Sequence, residues 1–161
     1  MTYHAIINSP IGKLGIKHTN SLLTHVEYVA KNLKITGNDR MIKEIEYQLN
    51  SYFVNPNHNF NFSLDALGTP FQQRVWRTLL TIPCGETRTY QDLAILLNTS
   101  PRAIGNACRK NPIAIIIPCH RVVAKNSLGG YSGETSGATL DKKIWLLEHE
   151  KAVRGGLKSI N

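Results

Sequence analysis

At 161 residues with 42% apolar side chains, the chain holds enough for one ordinary domain, or one domain with a small appendage, and is too apolar for a disordered segment. No apolar run approaches the about 18 residues that cross a bilayer, and Met1–His4 lack the basic and apolar regions of a leader, so neither a membrane span nor secretion is expected. The net charge of +8 admits a polyanionic partner or a merely soluble surface, and three cysteines outside any C-x-x-C pair (Cys84, Cys108, Cys119) fit a reducing, cytoplasmic setting better than a disulfide scaffold.

Residues 3–8, 12–18 and 22–29 read as short strands separated by Ser9-Pro10 and Thr19-Asn20-Ser21. From Asn38 the period changes. Ile42, Ile45, Leu49 and Tyr52 mark one face of a helix that Asn38 or Asp39 can cap and Asn55-Pro56-Asn57 ends. Phe60–Leu64 reads as one more strand. The expectation is an α+β chain: a small N-terminal antiparallel sheet with a helix over 1–67, then a mainly helical domain over 68–161 containing a helix-turn-helix. Charge divides at the same place. Residues 1–67 hold 6 Lys/Arg against 5 Asp/Glu, whereas 68–161 hold 13 against 6.

In the second part Val75, Leu79 and Ile82 share a helical face, with Trp76 beside them as a core anchor. Cys84, in the Pro83–Glu86 turn, has no His or Lys close in sequence and reads as an incidental thiol. Thr89-Tyr90-Gln91-Asp92 has the form of a capping box. Ser100-Pro101 is a cap with proline at the first helical position, opening a second helix over Arg102–Lys110. Two short helices so joined form a helix-turn-helix or a plain helical hairpin. Gly105, costly inside a helix, suggests close approach to another backbone, protein or nucleic acid. Ile113–Ile117 reads as a buried strand, and Lys142–Glu150 as a last helix with Ile144, Trp145 and Leu147 facing the core. Residues from Gly155 onward read as a frayed tail.

Cys119 emerges from the apolar run inside Pro118-Cys119-His120-Arg121. A thiolate nucleophile needs a base or a positive neighbour, and His120 and Arg121 are of those kinds; a buried structural cysteine is the other reading. The wider sequence resembles the O6-alkylguanine-DNA alkyltransferases. The resemblance is carried by Asn111-Pro112, Ile117–Val123, Gly85–Thr87, Tyr90-Gln91, Arg102–Gly105, Gly130–Gly133 and Trp145–Glu150, in that family's order over about residues 68–151.

The resemblance implies a single-turnover DNA-repair protein that flips the damaged nucleotide and moves its alkyl group to Cys119. His120 would take the thiol proton through a water, Glu150 would orient His120, and Asn111 would link the recognition helix to the cysteine turn. Arg102 would fill the gap left by the flipped nucleotide, with Ala103, Gly105 and Arg109 also on the DNA-binding helix. Tyr90 and Ser132 would donate to the extruded guanine, and Tyr131 would wall the pocket. The expected partner is double-stranded DNA containing O6-alkylguanine, with O4-alkylthymine a second candidate, bound by a monomer. No cofactor and no metal are expected, since no cysteine precedes Cys84 and the six histidines lack zinc-ligand spacing. Glu134–Ile144 reads as a longer pocket-side loop than some relatives have. The rival readings are a cysteine hydrolase that turns over, a binder of alkylated DNA without transfer, and a transcription regulator. A methyltransferase using a soluble donor is disfavoured because no strand–glycine–helix fingerprint is present.

Overall fold

The computed structural model describes residues 3–29, 39–131 and 137–151. Period-two alternation builds the first three strands, β1 (Ala5–Ser9), β2 (Gly12–Thr19) and β3 (Leu22–Val29), paired antiparallel in chain order. Ala5, Ile7, Leu14, Ile16, Leu23 and Val26 are buried. The turn into β3 needs a left-handed residue, which Asn20 supplies at φ 56°. Of the expected Phe60–Leu64 strand, only β4 (Ser63–Leu64) forms, and it joins β3 in parallel.

Helix α1 (Arg40–Val54) begins where the Asp39 carboxylate accepts the Ile42 N–H at 2.8 Å. Its buried stripe is Ile42, Ile45, Gln48, Leu49 and Tyr52. Gln48 is tolerated there because both ends of its amide are used: Oε1 accepts from Asn61 N at 2.8 Å and Nε2 donates to Glu44 Oε1 at 2.8 Å. Asn38, the alternative cap, lies outside the described residues.

Two compact units result: Met1–Leu67 with Pro112–Ile116, and Gly68–Asn111 with Ile117–Asn161. Assignment of residues 112–116 to the first unit was not expected from the sequence. Nor are residues 113–117 a strand. Val26 N donates to Pro112 O (3.0 Å), Ala114 N donates to Val26 O (2.9 Å), and only Ile113 bridges to Val26. The chain then turns tightly, with Ile116 N on Ala114 O (2.8 Å) and Ile115 at φ 73°. A short apolar run signals burial equally well for a strand and a buried turn, and here the turn prevails.

In the second unit, α2 (Pro70–Leu79) buries Val75, Trp76 and Leu79, and Trp76 Nε1 donates to Ala107 O at 2.9 Å. Helix α3 (Tyr90–Leu96) opens with the expected reciprocal box, Thr89 N to Asp92 Oδ2 and Asp92 N to Thr89 Oγ1, each at 2.9 Å. Helix α4 (Pro101–Arg109) is capped by Ser100 Oγ, which accepts from Ala103 N at 3.1 Å. Asn98, at φ 55°, makes the turn between them, so α3 and α4 are two short helices joined by a tight turn. β5 (Arg88–Thr89) pairs in parallel with β6 (Val122–Val123), a two-residue ladder too short to read from sequence.

Helix α5 (Ala138–His149) starts four residues before the expected Lys142, so much of the stretch read as a longer loop is helical. Its buried positions are Lys143, Leu146, Leu147 and, at the C-cap, Glu150. Ile144 and Trp145, expected inside, are only half-buried, and Trp145 stacks on His149 instead. Residues 152–161, including the expected frayed tail, lie outside the described residues.

Candidate active site

Cys119 opens a 3-10 turn, Cys119–Arg121, immediately before β6. Its thiol is buried at 6% exposure. Burial pushes the thiol above its ordinary value, while a hydrogen bond with the Asn111 side chain and the charge of Lys143 pull against that rise. The resting group is therefore a thiol. Asn111 also donates from Nδ2 to Ile117 O at 2.8 Å, which ties the end of α4 to the residue where the chain re-enters the second unit.

His120 is fully buried, with Nε2 2.9 Å from Glu150 Oε2. Burial holds the imidazole below its ordinary pKa despite the adjacent carboxylate, so the ring is neutral near pH 7. The ionised Glu150 can only accept, which assigns the proton to Nε2 and leaves Nδ1 as a lone pair. Nδ1 has no protein partner among the described residues. Glu150 also accepts from Arg121 Nε at 2.8 Å on Oε1 and from Nη2 at 2.9 Å on Oε2. These partners hold its carboxyl far below the usual range even though burial opposes them. Arg121 completes the arrangement by donating Nη1 to Ile82 O at 2.6 Å. Thus Arg121, anticipated as a charge beside the thiol, is turned onto Glu150.

Lys143 has no exposed surface, and its ammonium donates to the carbonyls of Val122 (2.6 Å), Leu128 (2.5 Å) and Gly130 (2.8 Å). Burial lowers it to about 8, with the thiols of Cys119 and Cys108 acting in the opposite direction. It lies 5.9 Å from the centre of the Tyr90 ring. The Tyr90 hydroxyl is in loose contact with Gly130 O at 3.5 Å, and burial pushes its pKa far up, so it stays a donor. Gly129 sits at φ 72°, and a Cβ there would meet the Tyr90 ring at 2.7 Å, so both backbone and space require glycine. Tyr131 is buried at 3% exposure, while Ser132 lies outside the described residues.

On α4, Arg102 and Arg109 are exposed, Ala103 and Gly105 are half-buried, and Ile104, Ala107 and Cys108 form the buried side. A Cβ on Gly105 would meet only Tyr90, at an ordinary 3.9 Å. Crowding within the second unit is thus not what makes that position small. Cys108 is a buried thiol raised by burial and by the neighbouring Cys119. Among the described residues no three His, Cys, Asp or Glu side chains converge to hold a metal, and no helix is long and apolar enough to cross a membrane.

A family model for the DNA-binding domain of 6-O-methylguanine DNA methyltransferase matches residues 70–152. The methylated-DNA–protein-cysteine methyltransferase of Mycobacterium bovis is 41% identical over 160 residues, spanning 94% of both chains. The chain belongs to the O6-methylguanine-DNA methyltransferase family. A probable methylated-DNA–protein-cysteine methyltransferase of Acanthamoeba polyphaga mimivirus is 52% identical over 106 residues, 64% of this chain and 68% of that one. Among solved structures, Mycobacterium tuberculosis OGT in complex with DNA matches at a TM-score of 0.77 and 40% identity over 91% of both chains. An O6-methylguanine DNA methyltransferase from Methanococcus jannaschii matches at 0.67 and 35%, over 91% of this chain and 92% of that one.

Within this methyltransferase fold, the 3-10 turn and the end of α5 bring Cys119, His120 and Glu150 into one buried cluster, with Asn111 beside the thiol. Tyr90 joins through Lys143 and Gly130. Arg102, Ala103 and Arg109 are not part of that cluster and lie on the outer flanks of α4. Sequence reasoning missed Lys143 and the clamp that Arg121 puts on Glu150. A signal for the first existed, because positions 143, 146, 147 and 150 fall at i, i+3, i+4 and i+7, a core stripe with ionisable residues at both ends.

Proposed function

We propose that this chain repairs alkylated DNA by accepting the alkyl group of O6-alkylguanine on Cys119, once per molecule. The observation that carries the reading is the buried His120–Glu150 pair next to Cys119, with an imidazole nitrogen left as a base. DNA containing the lesion binds at the helix-turn-helix, and the damaged nucleotide swings out at a cost of a few kcal/mol. Arg102 fills the gap, while Ala103, Gly105 and Arg109 face the duplex.

The Cys119 proton passes through one water to His120 Nδ1, and Glu150 stabilises the imidazolium that forms. The thiolate attacks the alkyl carbon in line. A C–S bond forms, the C–O6 bond breaks, and the electron pair leaves on guanine. Tyr90 and Ser132 donate to the departing base as its negative charge grows, and Tyr131 walls the pocket. Guanine then takes up a proton. The product thioether is inert to water and base, so the protein is consumed. The reaction needs no cofactor. The partner is double-stranded DNA, with O4-alkylthymine a further substrate, and the protein acts as a cytoplasmic monomer.

The test is intact-protein and peptide mass spectrometry after mixing with a duplex carrying one O6-methylguanine. The expected result is one added methyl on the Cys119 peptide, saturating at one per chain. Binding without mass gain would turn the reading to a damage binder, and repeated turnover to a hydrolase.

A further inference from the structure

Cys108 is the one buried nucleophilic group of the second unit to which the transfer reaction gives no part. It sits on α4 between two residues that reach the active-site cluster, each three positions away. Before it is Gly105, whose nearest side chain is Tyr90, 3.9 Å from where a Cβ would stand. After it is Asn111, whose backbone N–H donates to Cys108 O at 3.2 Å while its side chain hydrogen-bonds the Cys119 thiol. Asn111 Nδ2 and Cys119 N both donate to Ile117 O, each at 2.8 Å, so one asparagine holds both cysteine segments. The two thiols also share Lys143 and Tyr90 as neighbours. Both are buried, at 9% and 6% exposure. The third thiol, Cys84, stands elsewhere, with Glu150 and Arg121 as its charged neighbours.

A thiolate that can attack an alkyl carbon can also attack the O–O bond of a hydroperoxide. His120 takes the Cys119 proton through water, an S–O bond forms and the O–O bond breaks. The departing alkoxide collects that proton as an alcohol, and Cys119 is left as a sulfenic acid. A neighbouring thiol then decides its fate. Attack by Cys108 forms an S–S bond and breaks the S–O bond, and hydroxide leaves with the Cys108 proton as water. Without that attack, more hydroperoxide carries Cys119 to sulfinic and sulfonic acids, which thiols do not reverse. A protein with one acceptor sulfur loses its whole capacity with that sulfur.

We infer that Cys108 is a resolving thiol, which captures oxidised Cys119 as a reversible disulfide and so keeps the alkyl acceptor from irreversible oxidation by hydroperoxides. The inference rests on the alkyltransferase reading for what the captured sulfur does, whereas the bridge itself has its own readout.

The test treats the full chain with hydrogen peroxide, blocks remaining thiols with iodoacetamide, and maps the digest by mass before and after dithiothreitol. The intact mass should fall by two hydrogens, and a peptide pair joining Cys108 to Cys119 should appear. Methyl acceptance from an O6-methylguanine duplex should be lost with it, and dithiothreitol should restore it. Cys108→Ala should accept methyl like the parent before peroxide. After peroxide its loss should be permanent, with two or three oxygens on the Cys119 peptide. Cys84→Ser should behave like the parent throughout. Absence of the Cys108–Cys119 pair, a Cys84–Cys119 pair in its place, or equal recovery of Cys108→Ala and the parent overturns the inference. The pairing is measured in the unsubstituted chain, so a variant that fails to fold leaves the test standing. If untreated protein gains no methyl, the alkyltransferase reading falls, while the linked peptide still decides whether Cys108 resolves Cys119.

Discussion

Among the described residues, the first unit buries polar side chains that carry no charge, Thr24 and Gln48, whereas the second buries His120, Lys143 and Glu150. Gln48 donates to Glu44 within α1 and accepts from Asn61 N in the segment that follows, so its removal disturbs only that helix and its neighbouring segment. In the second unit each buried ionisable group holds another element in place. Lys143 gathers the backbone that follows Cys119, and Glu150 holds His120 directly while Arg121 holds Glu150. Buried ions are costly unless fully partnered. That they concentrate beside the thiol indicates where this molecule gives up stability for chemistry.

The largest effect expected is at Cys119. Cys119→Ala should abolish methyl gain in the mass spectrum while binding to the lesion duplex persists. Next, Glu150→Gln should slow transfer by about 10²–10⁴-fold and cost about 3 kcal/mol in urea unfolding, because it leaves the half-buried Arg121 beside a neutral partner. Lys143→Met removes the shared donor of the Val122, Leu128 and Gly130 carbonyls and should cost about 2–3 kcal/mol, with slower single-turnover transfer. If that variant were as stable as the parent, the contrast between the units would lose its energetic meaning.

Acid sharpens the same contrast. His120 and Glu150 both have folded pKa values below their unfolded ones, so their contribution is complete above the unfolded values and is lost as pH falls. The loss should begin below about 6.5, where unfolded histidine takes up protons, and deepen below about 4.3 with unfolded glutamate. Hydrogen exchange between pH 7 and 4 should show second-unit amides losing protection first, and His120→Asn should remove the upper part of that loss. The smallest effect is in the first unit. Gln48→Leu should cost about 1 kcal/mol and leave the transfer rate unchanged.

The same contrast explains what the sequence disclosed. Strands and helix in the first unit follow from local alternation and caps, and Thr89–Asp92 and Ser100 were legible because a cap involves residues only three apart. Cys119 and His120 stood out locally as a candidate nucleophile and its neighbour, with a structural cysteine left open, whereas Glu150 was identified through resemblance, since 30 residues separate it from His120 and no local period relates them. Lys143 escaped because a lysine is ordinarily read as solvated, and burying one requires three carbonyls contributed by a distant stretch of chain. Residues 113–117 were misread because apolar content reports burial, not backbone shape.

The excursion of Pro112–Ile116 bears on how such a gene can be rearranged. A crossover at Leu67/Gly68 alone would bring in, along with the second unit, a foreign copy of the buried residues 113–116 that belong to the first, so a clean exchange needs three joints: 67/68, 111/112 and 116/117. The last two adjoin the residues of the bond from Asn111 to Ile117 O, where any mismatch would shift the cysteine turn. Recombination between relatives should therefore succeed mostly when both halves travel together, which makes the two units a single heritable piece despite their separate cores.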